Sequence, residues 1–109
     1  MNTTPNRHPD PTPERAYATA PSIISEIGWT ARTAADRPFD TETSREFWLR
    51  KAALLDRIAL SDEMASAASD AIEAATRAAH QLMNHDGTTV TGNPRHYVRQ
   101  QYALWTTHS

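Results

Sequence analysis

Five histidines and thirteen carboxylates are the groups from which this 109-residue chain could assemble a metal or acid–base centre. Their spacing argues against one. His80 and His85 stand five residues apart, about 140° around a helix, so they do not share a face as an i, i+4 pair of ligands would. His96 lies beyond Gly87 and Pro94 and could approach them only through tertiary folding. Asp62 with Glu63, and Asp70 with Glu73, suit helix-end electrostatics and a Glu73–Arg77 pair better than general acid–base work. The chain holds three glycines and no cysteine. It has no nucleophile elbow, phosphate-cradling loop or thiolate ligand set. Neither an enzyme nor a cofactor or metal is expected.

Two groups of residues point instead to binding. Ile23, Ile24, Ile27 and Trp29 concentrate apolar surface in one short piece between Pro21 and a polar continuation. They form a candidate partner-binding segment, whether they dock on the chain itself or on another protein. Arg95 and Arg99, with Tyr102 beside them, follow a strong helix start at Asn93-Pro94. Exposed arginines at such a start could read guanine edges and phosphates, which makes a small DNA-binding regulator the alternative reading. The net charge of −2, with both signs interspersed, gives no general attraction to nucleic acid or to anionic membrane. A non-enzymatic interaction or regulatory module that binds a protein partner is therefore the leading expectation.

The elements that must position these residues are helical. Thr43-Ser44-Arg45-Glu46 has capping-box spacing, with Thr43 as the cap. Phe47, Trp48, Ala52, Leu54, Leu55, Ile58 and Ala59 then share an apolar arc of roughly 160°, with Glu46, Arg50, Asp56 and Arg57 opposite. A second stripe runs through Met64, Ala68, Ala71, Ala75, Ala78 and Leu82 at four–three spacing. Extended as one helix, the two stripes lie roughly 140° apart, so a turn is expected at 60–62 with Ser61 or Asp62 capping the second helix. Ala68, Ala71, Ala75, Ala78 and Leu82 permit close approach of a helix, and the shorter first helix leaves one end of them uncovered. A homodimer through that face is expected. Asp86-Gly87 stops the second helix, and a third follows from Pro94, with Tyr97, Val98, Gln101, Leu104 and Trp105 on one face.

The predicted fold is all-α: a helical hairpin plus a third short helix over 42–109, preceded by a largely disordered arm over 1–41 with an apolar segment at 22–29. Pro5, Pro9, Pro11, Pro13 and Pro21 sit among polar residues that have little to bury. Ser22 could cap a single helical turn, and residues 30–41 read as polar linker. A core of this size is marginal, and no disulfide or zinc supports it, which adds weight to association. No apolar run is long enough to span a membrane and no signal peptide is visible, so a cytoplasmic location is expected. Lys51 is the only lysine among the basic residues, a bias towards arginine that suggests a high-GC bacterium.

Overall fold

The computed structural model describes residues 11–36, 44–64, 69–89 and 91–108. Those residues form five α-helices and no strand: α1 (Pro13–Ala16), α2 (Ile23–Asp36), α3 (Arg45–Met64), α4 (Ser69–Asp86) and α5 (Pro94–His108). The chain is all-α, as expected, but it has two more helices than expected. Both lie in the stretch assigned to a disordered arm. Thr12 caps α1 by accepting from the Arg15 N–H, with Pro13 at the first helical position. Ser22 caps α2 as expected, accepting from the Ser25 N–H at 3.1 Å. The helix does not stop after one turn. It continues through the residues read as linker, because Ala31, Ala34 and Ala35 favour helix and nothing before Asp36 breaks it.

α3 is the central helix, packed against α2, α4 and α5. Ser44 rather than Thr43 caps it, accepting from the Phe47 N–H at 3.3 Å; Thr43 lies outside the described residues. The expected turn at 60–62 is absent. The helix runs through Ser61 and Asp62 to Met64, and α4 begins at Ser69; residues 65–68 lie outside the described residues. Continuing the helix places Glu63 where its carboxylate meets Arg95, at 3.0 Å. The expected apolar arc is also only half of what α3 buries. Leu49, Ala53 and Asp56 are buried besides the expected residues, and Leu49, Ala52 and Ala53 pack in the main cluster with Ala78, Ala79, Leu82, Val98 and Tyr102.

At the other end of the pair, Arg45 at the start of α3 forks onto Asp86 at the end of α4, with Nε–Oδ1 2.8 Å and Nη2–Oδ2 2.9 Å. The two helices therefore run antiparallel. Gly87 ends α4 at φ 69°, with Thr88 N–H donating to Met83 O and Gly87 N–H to Asn84 O. This is a Schellman stop, and a side chain at that φ would be strained. Asn93 caps α5 as expected, its Oδ1 accepting from the Arg95 N–H at 2.9 Å.

Asp86 also accepts from the Tyr97 hydroxyl at 2.6 Å, and this gives the α3–α4–α5 end a defined pH window. The hydrogen bonds from Arg45 hold the Asp86 carboxyl down from 3.8 to about 2. Burial, reinforced by Asp86, pushes the Tyr97 hydroxyl up from 10.0 to about 12. A depressed carboxyl contributes stability that is complete above its unfolded pKa and lost as pH falls through the folded one. A raised phenol contributes below 10.0 and loses its contribution as pH rises to about 12. The gap in melting temperature between wild type and Asp86→Asn should therefore be flat at neutral pH and close between 3.8 and about 2. A gap that persists below that window would mean that the ion pair does not form.

Candidate functional site

The most concentrated polar chemistry in the described residues is buried between α3 and α5. Asp56 is completely buried, and each of its oxygens accepts two hydrogen bonds. Oδ1 takes Arg95 Nε at 2.5 Å and Arg99 Nη2 at 2.9 Å; Oδ2 takes the Tyr17 hydroxyl at 2.6 Å and Arg99 Nε at 2.8 Å. All four lone-pair sites of the carboxylate are thus used. Glu63 brings a second negative charge to Arg95, so two guanidiniums face two carboxylates. Burial, with the charge of Asp56 added, raises the Tyr17 hydroxyl far above its ordinary range, so it remains a donor at any working pH. Burial opposes the charge on Arg99, but the hydrogen bonds and charge of Asp56, with Tyr17 added, together outweigh it and raise the guanidinium pKa. Every partner is satisfied within the chain. Such a node joins α3, α5 and the segment after α1, and offers nothing to a ligand.

A second charged pair fixes α2. Arg50 on α3 forks onto Glu26, with Nη2–Oε2 2.6 Å and Nε–Oε1 3.1 Å, and reaches Glu46 through Nη1 at 2.9 Å. Its guanidinium lies 3.6 Å from the Trp29 ring centroid, and Trp29 in turn lies 6.4 Å from Phe47. Arg57 donates to the Pro21 carbonyl at 2.7 Å, tying down the start of α2. The inward side of α2 is therefore Ile23, Glu26, Trp29, Thr30 and Thr33, and the Thr30 hydroxyl is buried there with no hydrogen-bond partner among the described residues.

The outward side is the apolar one. Ile24, Ile27, Gly28, Ala31, Ala34 and Ala35 fall within about 120° of arc, centred roughly 140° away from the inward residues. Ile24 is 82% exposed and Ile27 47% exposed. A cleft of about 340 Å³ opens beside them, lined by Pro21, Ile24, Trp29, Arg32 and Arg50 among others. α2 thus turns Glu26, Thr30 and Thr33 inward beside Ile23 and Trp29, and leaves Ile24 and Ile27 outside.

No protein-family model, curated protein or solved structure matches this chain. The reading therefore rests on the geometry above.

Of the residues singled out in the sequence, Ile23, Ile24, Ile27 and Trp29 lie together on α2. Trp29 is held by Arg50, and Ile24 and Ile27 face solvent. The expected self-association face lies largely inside the chain. Ala75, Ala78 and Leu82 are buried inside the chain, because α3 and α5 between them cover the end of the stripe that a shorter first helix would have left open. Ala71 is half-buried, and Ala68 lies outside the described residues. The premise of the nucleic-acid reading is corrected. Arg95 and Arg99 are only 4% and 8% exposed and are held by Asp56, while Tyr102 is buried against Tyr17 and Trp105. The inward face of α5 is Arg95, Val98, Arg99 and Tyr102, whereas Leu104, expected inside, is half exposed.

His80 is exposed, and His85 approaches Asp86 at 3.4 Å. Among the described residues, no group of three or more His, Cys, Asp or Glu is placed to hold a metal ion, and no helix is long and apolar enough to cross a membrane. Sequence reasoning missed Asp56 and Glu26. The signal for Asp56 was present: an acid at core phase on one helix and two arginines at core phase on another.

Proposed function

We propose that this chain is a non-enzymatic interaction module that engages a protein partner through the outer face of α2. The observation that carries the reading is the reversed mounting of that helix: Glu26 and Thr30 inside, Ile24 and Ile27 outside. Turning α2 over would bury two isoleucines and three alanines against α3, each apolar Å² contributing about 25 cal/mol. The fold instead turns Glu26 onto Arg50, leaves the buried Thr30 hydroxyl without a partner among the described residues, and presents Ile24 and Ile27 to its surroundings. Contiguous apolar surface with a polar margin is the usual form of a protein-binding patch.

The reading is tested by Ile24→Glu, a change at a position that contributes little to the core. The variant should keep the helical circular dichroism and melting temperature of the wild type. Used as baits at equal concentration in extract from the source organism, the two should differ: a protein retained by wild type should be lost from Ile24→Glu. Identical retention by both baits would remove α2 from the reading.

A further inference from the structure

We infer that the occupant of the α2 face is an amphipathic helix from a different protein, carrying a carboxylate on the border of its apolar stripe to pair with Arg32. The inference rests on the reading of α2 as a docking surface and adds the chemistry of what docks there.

The shape of the face comes first. α2 has fourteen residues, so it offers an apolar strip about 21 Å long and one helix wide. Gly28, Ala31 and Ala35 lower the strip beyond the isoleucines. A second helix can lie close along such a strip and seat bulky apolar side chains over the small ones. An extended peptide would find no free backbone edge on a helix to pair with.

Charge then selects among helices. Arg32 lines the cleft beside Trp29 and Ile24, and a Cβ built on Gly28 would stand 3.1 Å from Arg32 Nη1. The guanidinium therefore lies back across the position where Gly28 has no side chain, inside the strip. It makes no ion pair with any described residue. The nearest acid in the cleft, Glu26, is already held by Arg50 in a bidentate pair. A helix laid on the strip takes water away from the Arg32 charge, which is unfavourable unless the incoming helix supplies a carboxylate.

A second copy of α2 does not meet that condition. Laid antiparallel so as to cover the isoleucines, it sets Ile27 opposite Gly28 and Ile24 opposite Ala31, and Arg32 then faces Ile23. Shifting the pair until Arg32 meets Asp36 moves the crossing to Ala34 and leaves Ile24 and Ile27 beyond the end of the partner helix. Laid parallel, Arg32 meets Arg32. None of these pairings of α2 with α2 both covers the isoleucines and gives the guanidinium a carboxylate.

The test is a titration of the ¹⁵N-labelled full chain with synthetic helical peptides of twenty residues. Each carries a leucine stripe and one glutamate on its border, at four successive border positions in four peptides, and each has a glutamine counterpart. Amide shifts should be confined to residues 21–36 and their contacts on α3. The best glutamate peptide should bind about tenfold more tightly than its glutamine counterpart. That preference should vanish in Arg32→Gln and all binding should vanish in Ile24→Glu, both variants being checked for an unchanged spectrum elsewhere. Equal affinity for the glutamate and glutamine series, lost in Ile24→Glu, would overturn the carboxylate while leaving the α2 face as the docking surface. Shifts that map to other helices, or binding that survives Ile24→Glu, would overturn both.

Discussion

Asp56→Ala should destabilise the chain by about 3–5 kcal/mol, the usual cost of removing one partner from a buried ion pair. Arg99 would be left buried without its carboxylate, Arg95 would keep only the partly exposed Glu63, and the Tyr17 hydroxyl would lose its acceptor. Domains of this size have only about 5–15 kcal/mol in total, most of them towards the lower end, so much of the variant should be unfolded at room temperature. Glu63→Ala is the control. Its carboxylate touches the same Arg95 but is 39% exposed, so its loss should shift the urea midpoint only slightly. The pair also separates two ideas about the node. If its value lies in charge matching, Asp56→Leu combined with Arg95→Met and Arg99→Met should recover most of the stability lost in Asp56→Ala. A urea midpoint for Asp56→Ala within experimental error of wild type would show that the node is open to water in solution.

Why that node escaped the sequence is instructive about what patterns carry. Asp56, Arg95 and Arg99 were placed on solvent faces because they are charged, although Leu49, Ala52, Ala53, Asp56 and Ala59 keep helical spacing, as do Arg95, Val98, Arg99 and Tyr102. A buried charge is stable only with its opposite nearby, and the opposite here lies 39 or 43 residues away. No local window contains both. Signals that act within one turn were legible by contrast. Ser22, Gly87 and Asn93-Pro94 each do what their types dictate, since a cap or a left-handed glycine needs nothing from the rest of the chain. Ser61-Asp62 has the same local form but lost to tertiary structure, with α3 continuing past it to set Glu63 on Arg95. In α2 the apolar arc was real and its direction was not legible. Periodicity gives the angle between two faces of a helix and leaves open which of them turns inward.

The second large effect is expected at Ala75. Ala75→Glu places a carboxylate where the structure has no exposed surface, on a helix face closed by α3. The variant should lose several kcal/mol and with it the cooperative thermal transition. Its unfolding should not depend on protein concentration, since the face is filled from within one chain. A folded monomer, recovered from a wild-type dimer that light scattering detects, would instead restore α4 as a contact between copies.

The node at Asp56 also decides how far α5 can slide. The core beneath it is made largely of alanine, and a row of small, similar side chains offers many packings of nearly equal energy. Apolar contact alone would leave α5 free to settle one turn up or down. The three hydrogen bonds from Arg95 and Arg99 to the Asp56 carboxylate do not permit it. A slip of one turn would bring Thr91 and Arg95, or Arg99 and Ala103, to the place now held by Arg95 and Arg99. Either way one guanidinium is lost from the carboxylate and is stranded against hydrocarbon. Two arginines four residues apart thus serve as the teeth of a key, and the smoothness of the alanine surface is what makes them necessary.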